Sequence, residues 1–336
     1  MTENTGNVYE PFSSLEQQKK EEIKKIKKSS NLIGAAFIVL WLMPDILNSL
    51  LSDILKIIGP TPEAVALFGD PAFMMVMQTI YSLLMFTLPF LILPIGHGKK
   101  ISEFAFIRKP RRKLFLPFVF IGVGISAFAN LATNKLGAIF QGFGIEFYAP
   151  DINFPEGVFG FILSMLAVAV TPALAEEFAT RGMTLSAAKQ YGEDFGILVS
   201  ALLFALMHGN LVQIPFAFIM GIVIGFAVIK TGSVVTGMAI HFLNNAISVS
   251  MSYLSSGIES VVVSAVISLA YFVVCALLLF VGIYLAQKSE EGVWRLYSGE
   301  STLSAGKKFK YFLLSPAVIA AIGLNVIDCI GMISLG

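Results

Sequence analysis

Charge is scarce in this sequence. Asp, Glu, Lys and Arg together make up 13% of its 336 residues, about half of the roughly 25% found in an ordinary soluble domain. That excludes a large water-facing surface, and with it a sizeable soluble domain. The charges are also balanced, 23 Lys+Arg against 22 Asp+Glu for a net charge of +1, so the basic surplus on which nucleic-acid binding rests is missing. Cysteine is rare too. Cys275 and Cys329 are the only two, and both sit in apolar runs, where a thiol behaves as a small hydrophobe. This argues against a disulfide framework, a cysteine metal site or a thiol nucleophile. A secretory signal is not evident either: the first 31 residues are polar, and the long apolar run behind them lacks a small-residue cleavage site.

What the sequence does have is hydrophobic length. The hydrophobic set supplies 56% of residues and the mean hydropathy is +0.80. At about 20 apolar residues per crossing of a ~30 Å hydrocarbon core, the chain has room for about eight or nine spans with short loops. Runs at 32–52, 72–96, 114–134, 157–180, 195–209, 212–229, 233–254, 260–286 and 311–333 fit that pattern. The fold class expected is all-α, a polytopic transmembrane helical bundle. The run at 195–209 is about 15 residues, or roughly 22 Å by helical rise, too short for an independent traverse, so it must be buried, tilted or re-entrant. Residues 1–31, with six lysines and five glutamates, read as a solvated, partly helical tail in front of a transmembrane domain at 32–336. Lysines beside a span also favour contact with anionic lipid, which the acidic neighbours weaken. The connections at 96–113 and 287–310 are rich in Lys and Arg like the tail, which places all three, and the N-terminus, on the cytoplasmic side. No internal repeat supports a two-fold transporter architecture.

Ionisable groups inside spans are expensive and mark a functional path or a buried pair. Here they cluster between residues 171 and 245. In Ala175-Glu176-Glu177-Phe178-Ala179-Thr180-Arg181, Glu177 and Arg181 stand four apart on one helical face, so the arginine neutralises that glutamate. Glu176 lies about 100° round the helix and is less well paired, which leaves it more available as a base. His208 ends an apolar stretch with Phe204 one turn before it, followed by the turn residues Gly209 and Asn210; Gln213 is a weaker polar neighbour. His241 and Asn245 share a face of a later span, where the bland alternative is a polar helix–helix contact. His97 lies among glycines and lysines and is assigned no chemistry. Hydrolysis of a peptide needs a base for water and donors for the developing oxyanion; a glutamate with a histidine suits the first role and a His/Asn pair the second.

These residues resemble the CPBP family of intramembrane proteases, which takes in CAAX prenyl endopeptidases and the bacterial Abi proteins linked to bacteriocin processing and self-immunity. The pattern EExxxR, FxxxH, HxxxN is complete and in order as Glu176-Glu177…Arg181, Phe204…His208 and His241…Asn245, within a core at 157–254. The resemblance implies an intramembrane endopeptidase acting on a membrane-associated or prenylated peptide. In it Glu176 and His208 activate water, His241 and Asn245 stabilise the oxyanion, and Glu177 and Arg181 support them. It implies no cofactor, although Glu176, His208 and His241 also make a three-ligand zinc set; the zincin HExxH pattern is absent. The partners expected are the bilayer and a peptide or lipidated protein, with a membrane-protein partner under the competing reading, a non-enzymatic scaffold or self-immunity protein. The expected location is a bacterial plasma membrane. One tension concerns depth. If the fourth run ended near Arg181, Glu176 and His208 would sit at different levels, so that helix is expected to continue through 182–190, which holds no proline.

Overall fold

The computed structural model describes residues 10–59, 61–147, 152–299 and 301–335; the first nine residues of the charged tail lie outside these. Among the described residues seven helices are long and apolar enough to cross a membrane. They are α1 (Glu10–Ile58), α2 (Pro71–Gly96), α3 (Arg112–Gly142), α4 (Gly157–Tyr191), α6 (Ile214–Thr231), α7 (Val234–Ser255) and α8 (Val261–Ser289). Between α4 and α6 lies α5 (Glu193–Leu206), of 14 residues. A pair bent by 70°, α9 (Ala305–Leu313) and α10 (Pro316–Gly331), brings the candidate spans to eight if it is counted as one. The chain is thus a multi-pass helical membrane protein. The run expected at 195–209 is α5, too short to count as a crossing. The other departure is a two-stranded antiparallel pair, Ile145–Phe147 with Ile333–Leu335, which joins the far ends of α3 and α10.

Helix is the only element these apolar runs can form in lipid, because every backbone amide must be satisfied within its own segment. The ends are set by polar punctuation. Asp70 accepts from Phe73 N at 2.8 Å with Pro71 at the first helical position. Ser233 caps α7 through Val235 N at 3.2 Å, and Ser260 caps α8 through Val263 N. Such N-caps satisfy donors that the helix cannot.

The basic segments gather at one end of the bundle. Arg108 Nε donates to Gly232 O at 2.7 Å, Arg111 N to Thr231 O at 3.0 Å, and Arg111 pairs with Glu290 at 3.4 Å. Tyr297 N donates to Glu193 Oε2 at 2.8 Å. Thr302 Oγ1 and N donate to Glu22 at 2.7 and 2.9 Å. Of all the lysines and arginines, only Lys56, Lys135, Arg181, Lys189 and Lys230 lie outside these segments, and Lys189 and Lys230 reach this same end through Phe106 and Arg295. The tail, expected to be solvated, is part of this assembly from Glu10 onward: it is continuous with α1 and buries Ile26, Ser29 and Ser30. His97 joins it, with Nε2 2.9 Å from Ser29 Oγ, which in turn lies 2.9 Å from the Tyr191 hydroxyl.

Two apolar clusters flank α4, which gives Met183 to one, with Phe37, Phe90 and Phe195, and Leu185 to the other, with Phe118, Ile197 and Ile224. α4 and α5 form a hairpin that turns at the basic end on Gly192, whose φ of 130° suits glycine. The helix does continue past Arg181, to Tyr191. Glu176 and His208 are then each about 16 residues from Gly192 along opposite arms, roughly 24 Å at helical rise. The expected mismatch in depth therefore disappears.

Candidate active site

Glu177 is the hub. It is fully buried, and its Oε1 accepts from Arg181 Nη1 at 2.8 Å and faces His241 Nδ1 at 3.1 Å. An oxygen that already takes an arginine is an acceptor, so Nδ1 of His241 carries the proton and donates. The four-residue spacing on α4 makes the first contact, and α7 crossing α4 makes the second. The crossing is close because residue 237 is glycine. A β-carbon there would come within 2.6 Å of Glu177 Oε2, well inside van der Waals contact.

Arg181 is likewise fully buried. Besides Glu177 it donates to Thr180 Oγ1 at 2.8 Å and, through Nη2, to Gly221 O at 3.2 Å on α6. Its guanidinium lies 4.2 Å from the Phe204 ring centroid, a desolvated cation–π contact. Phe204 is therefore a common platform: the His208 and His241 rings meet it edge-on at 5.1 and 5.8 Å. This phenylalanine on α5 carries the contact between the two histidines.

Glu176 is arranged differently from its neighbour. Its side chain keeps 15% exposure against 0% for Glu177, and Oε2 has no hydrogen-bond partner although it is buried. Across the helix gap His241 Nε2 lies 4.0 Å from that oxygen, the kind of separation that a bridging water spans. Glu177 Oε2 is likewise buried without a partner, so the two adjacent carboxylates differ in that only Glu177 is tied, through Oε1, to an arginine and a histidine.

His208 lies in the turn after α5. Its Nδ1 is 2.8 Å from Phe204 O, so that nitrogen donates and Nε2 keeps its lone pair. No carboxylate lies within ion-pair distance of it among the described residues, so Glu176 and His208 are not in direct contact. Asn210 holds the turn, accepting from Gln213 N at 2.9 Å and donating to His208 O at 3.0 Å.

Asn245 is one turn beyond His241, and its Nδ2 donates to Val168 O at 2.9 Å. Val168 lies in a π-helical segment of α4, Met165–Val170, and four residues after it is Pro172. Proline has no N–H for the i−4 carbonyl, so Val168 O is freed and the asparagine takes it. One N–H of the Asn245 amide remains for other use, while its Oδ1 accepts from Asn244 at 3.0 Å. A second π segment, Phe178–Thr184, carries Arg181; there Thr184 Oγ1 and Ser200 Oγ bond the carbonyls of Ala179 and Thr180. Insertions of this kind collect at functional sites.

Three contributors were missed in the sequence reading: Gly237, Gly221 and the Pro172–Val168 pair. The role of Gly237 depends on how α7 crosses α4, which the sequence pattern does not carry. As for metal, no group of three His, Cys, Asp or Glu side chains among the described residues is arranged to hold an ion, and the set Glu176, His208 and His241 is no exception. Both cysteines are free and buried.

Residues 158–247, which contain every one of these groups, match a family model described as Rce1-like, Type II CAAX prenyl endopeptidase Rce1-like. No curated protein and no solved structure matches the chain.

Proposed function

We propose that the chain is a CPBP-type membrane protease, since residues 158–247 match the Rce1-like model of the type II CAAX prenyl endopeptidases, that Glu176 is its catalytic base and that the substrate is a membrane-associated or prenylated peptide. The observation that carries this is the contrast within the pair: Glu177, with no exposure, gives one oxygen to both Arg181 and His241, whereas the Glu176 carboxylate keeps 15% exposure, takes no arginine and lies 4.0 Å from His241 Nε2. In this reading Glu176 takes a proton from a water whose oxygen attacks the scissile carbonyl, with Nε2 of His208 as the second acceptor that aligns it. The oxyanion is met by Nε2–H of a protonated His241 and by the free N–H of Asn245. Glu177 and Arg181 hold His241 in place. With His241 protonated, two carboxylates face two cations and the buried set is neutral, which limits the cost of placing it in a low-dielectric site. The proton on Glu176 then passes to the departing amide nitrogen as the C–N bond breaks.

The chemistry is proposed to proceed without metal, since the donor set does not converge on one position. The N-terminus is proposed to be cytoplasmic, because the basic segments share one end; that end is also where the Gly192 turn lies. A bacterial plasma membrane is the location proposed.

The test uses purified protein in detergent with a library of prenylated and unprenylated peptides. Cleavage that disappears in Glu176→Ala and His208→Ala variants of equal folded yield, and that survives chelator, supports the reading. Cleavage that survives both substitutions overturns the residue assignment, and cleavage abolished by chelator overturns the metal-free route.

A further inference from the structure

At His208 the wall of the site opens. A cavity of about 370 Å³ is lined by Trp41 of α1, His208 and Gly209 of the turn, and Ile327, Asp328, Gly331 and Met332 at the end of α10. Its volume falls within the ~300–1,000 Å³ of small-ligand sites. The walls are fixed. Trp41 packs so closely on Gly209 that a β-carbon there would come within 2.9 Å of its ring, and the buried Asn325 donates to Leu206 O at the end of α5.

Asp328 is the unexpected member. α10 starts at the basic end, where Ala317 N donates to Asn31 Oδ1 at 3.1 Å. Asp328 lies about 11 residues further on, roughly 16 Å by helical rise, which is membrane depth. A carboxylate there is costly and marks a function unless it is paired. It is exposed and forms no salt bridge among the described residues. The sequence leaves it no cation from its own walls. α1 has no Lys or Arg between Lys28 and Lys56, neither α5 nor the turn to Gln213 has any, and none follows Lys310. Arg181 is held by Glu177.

We propose that this groove is a subsite for a cationic side chain, lysine or arginine, of the peptide substrate, with Asp328 as its counter-ion and His208 at its border with the reacting bond. The proposal rests on the protease reading above and narrows its substrate. Charge complementarity selects the occupant: the groove is open, lined by apolar groups around one carboxylate, and lacks an internal cation, which suits an aliphatic stem with a cationic head.

Two measurements test it. The first does not need cleavage. In a background with Cys275 and Cys329 replaced by alanine, Gly331→Cys places a thiol on the wall, where a β-carbon meets nothing within 4 Å. Its reaction rates with a cationic and an anionic methanethiosulfonate reagent are measured, each normalised to a small free thiol. The expected result is a cationic preference of about tenfold, falling to near twofold with Asp328→Asn. Equal rates, or no labelling by either reagent, overturn the subsite. The second is kcat/KM for peptides that differ only in Lys, Gln or Glu beside the scissile bond. Wild type is expected to favour Lys about tenfold through KM, and Asp328→Asn to remove that preference. Cleavage without a Lys preference overturns the subsite and leaves the protease reading standing. No cleavage of any peptide overturns that reading, and with it the groove's substrate role, whatever the labelling shows.

Discussion

Gly237 and Glu177 touch across the crossing of α7 on α4, with the carboxylate lying where a side chain on residue 237 would have to go. This contact allows Glu177 to reach His241 and Arg181 together. Gly237→Ala is therefore expected to push Glu177 off one of them and to misplace His241. A displacement of about 1 Å costs on the order of 10²-fold in rate. Peptide cleavage by Gly237→Ala, set against its thermal midpoint, checks this; unchanged cleavage would mean that the close approach is not needed.

The Glu177–Arg181 pair has no exposure on either side. Breaking such a pair by removing one partner leaves a buried charge alone and costs about 3–5 kcal/mol. Arg181→Leu is expected to be destabilised by that order, and Glu177→Gln combined with Arg181→Leu by less than the two single changes together. Thermal melts in detergent measure it, and strictly additive effects would contradict the coupling.

Asn245 has a structural bond as well as its proposed chemical one, and the two can be separated. Asn245→Leu strands the Val168 carbonyl, at about 1–3 kcal/mol. Pro172→Ala supplies the missing N–H four residues on. The double variant is expected to recover stability over Asn245→Leu but not cleavage. Recovery of both would reduce Asn245 to a structural role.

His97 predicts a pH effect at the basic end. Its imidazole is held below its ordinary value, first by burial and further by Lys28 and Lys99, against an opposing hydrogen bond to Leu93 O. Between the ordinary value near 6.5 and the lowered one, the unfolded chain binds more protons, so stability falls as pH drops through that window and is level above it. Thermal midpoints between pH 5 and 8 should show that slope in wild type and lose it in His97→Gln.

Much of the arrangement was legible in the residues, because it is local. Helical spacing alone joins Glu177 to Arg181, and the absence of proline after Arg181 foretells the long α4 that brings Glu176 level with His208. The contacts that were not legible depend on how helices cross. Nothing in the one-dimensional pattern says that Glu177, besides taking Arg181, also takes His241, or that Gly237 makes room for it. Nor does it say that Phe204, instead of a direct contact, stands between the two histidines, or that Asn245 answers a carbonyl freed by Pro172. The tail was read as solvated because its charges dominate its composition, yet Ile26, Ser29 and Ser30 form a buried stripe at helical spacing. The short strands, of three residues each, are below the length at which alternation can be recognised.

The central claim is the division of labour between two adjacent glutamates, and the isosteric pair Glu176→Gln and Glu177→Gln tests it most directly, with initial cleavage rates and thermal midpoints measured on the same preparations. The account predicts that Glu176→Gln loses about 10²–10⁴ in rate, the span of a general base, with its midpoint unchanged, while Glu177→Gln is clearly destabilised. Near-wild-type cleavage by Glu176→Gln, or a melting loss confined to that variant, would contradict it.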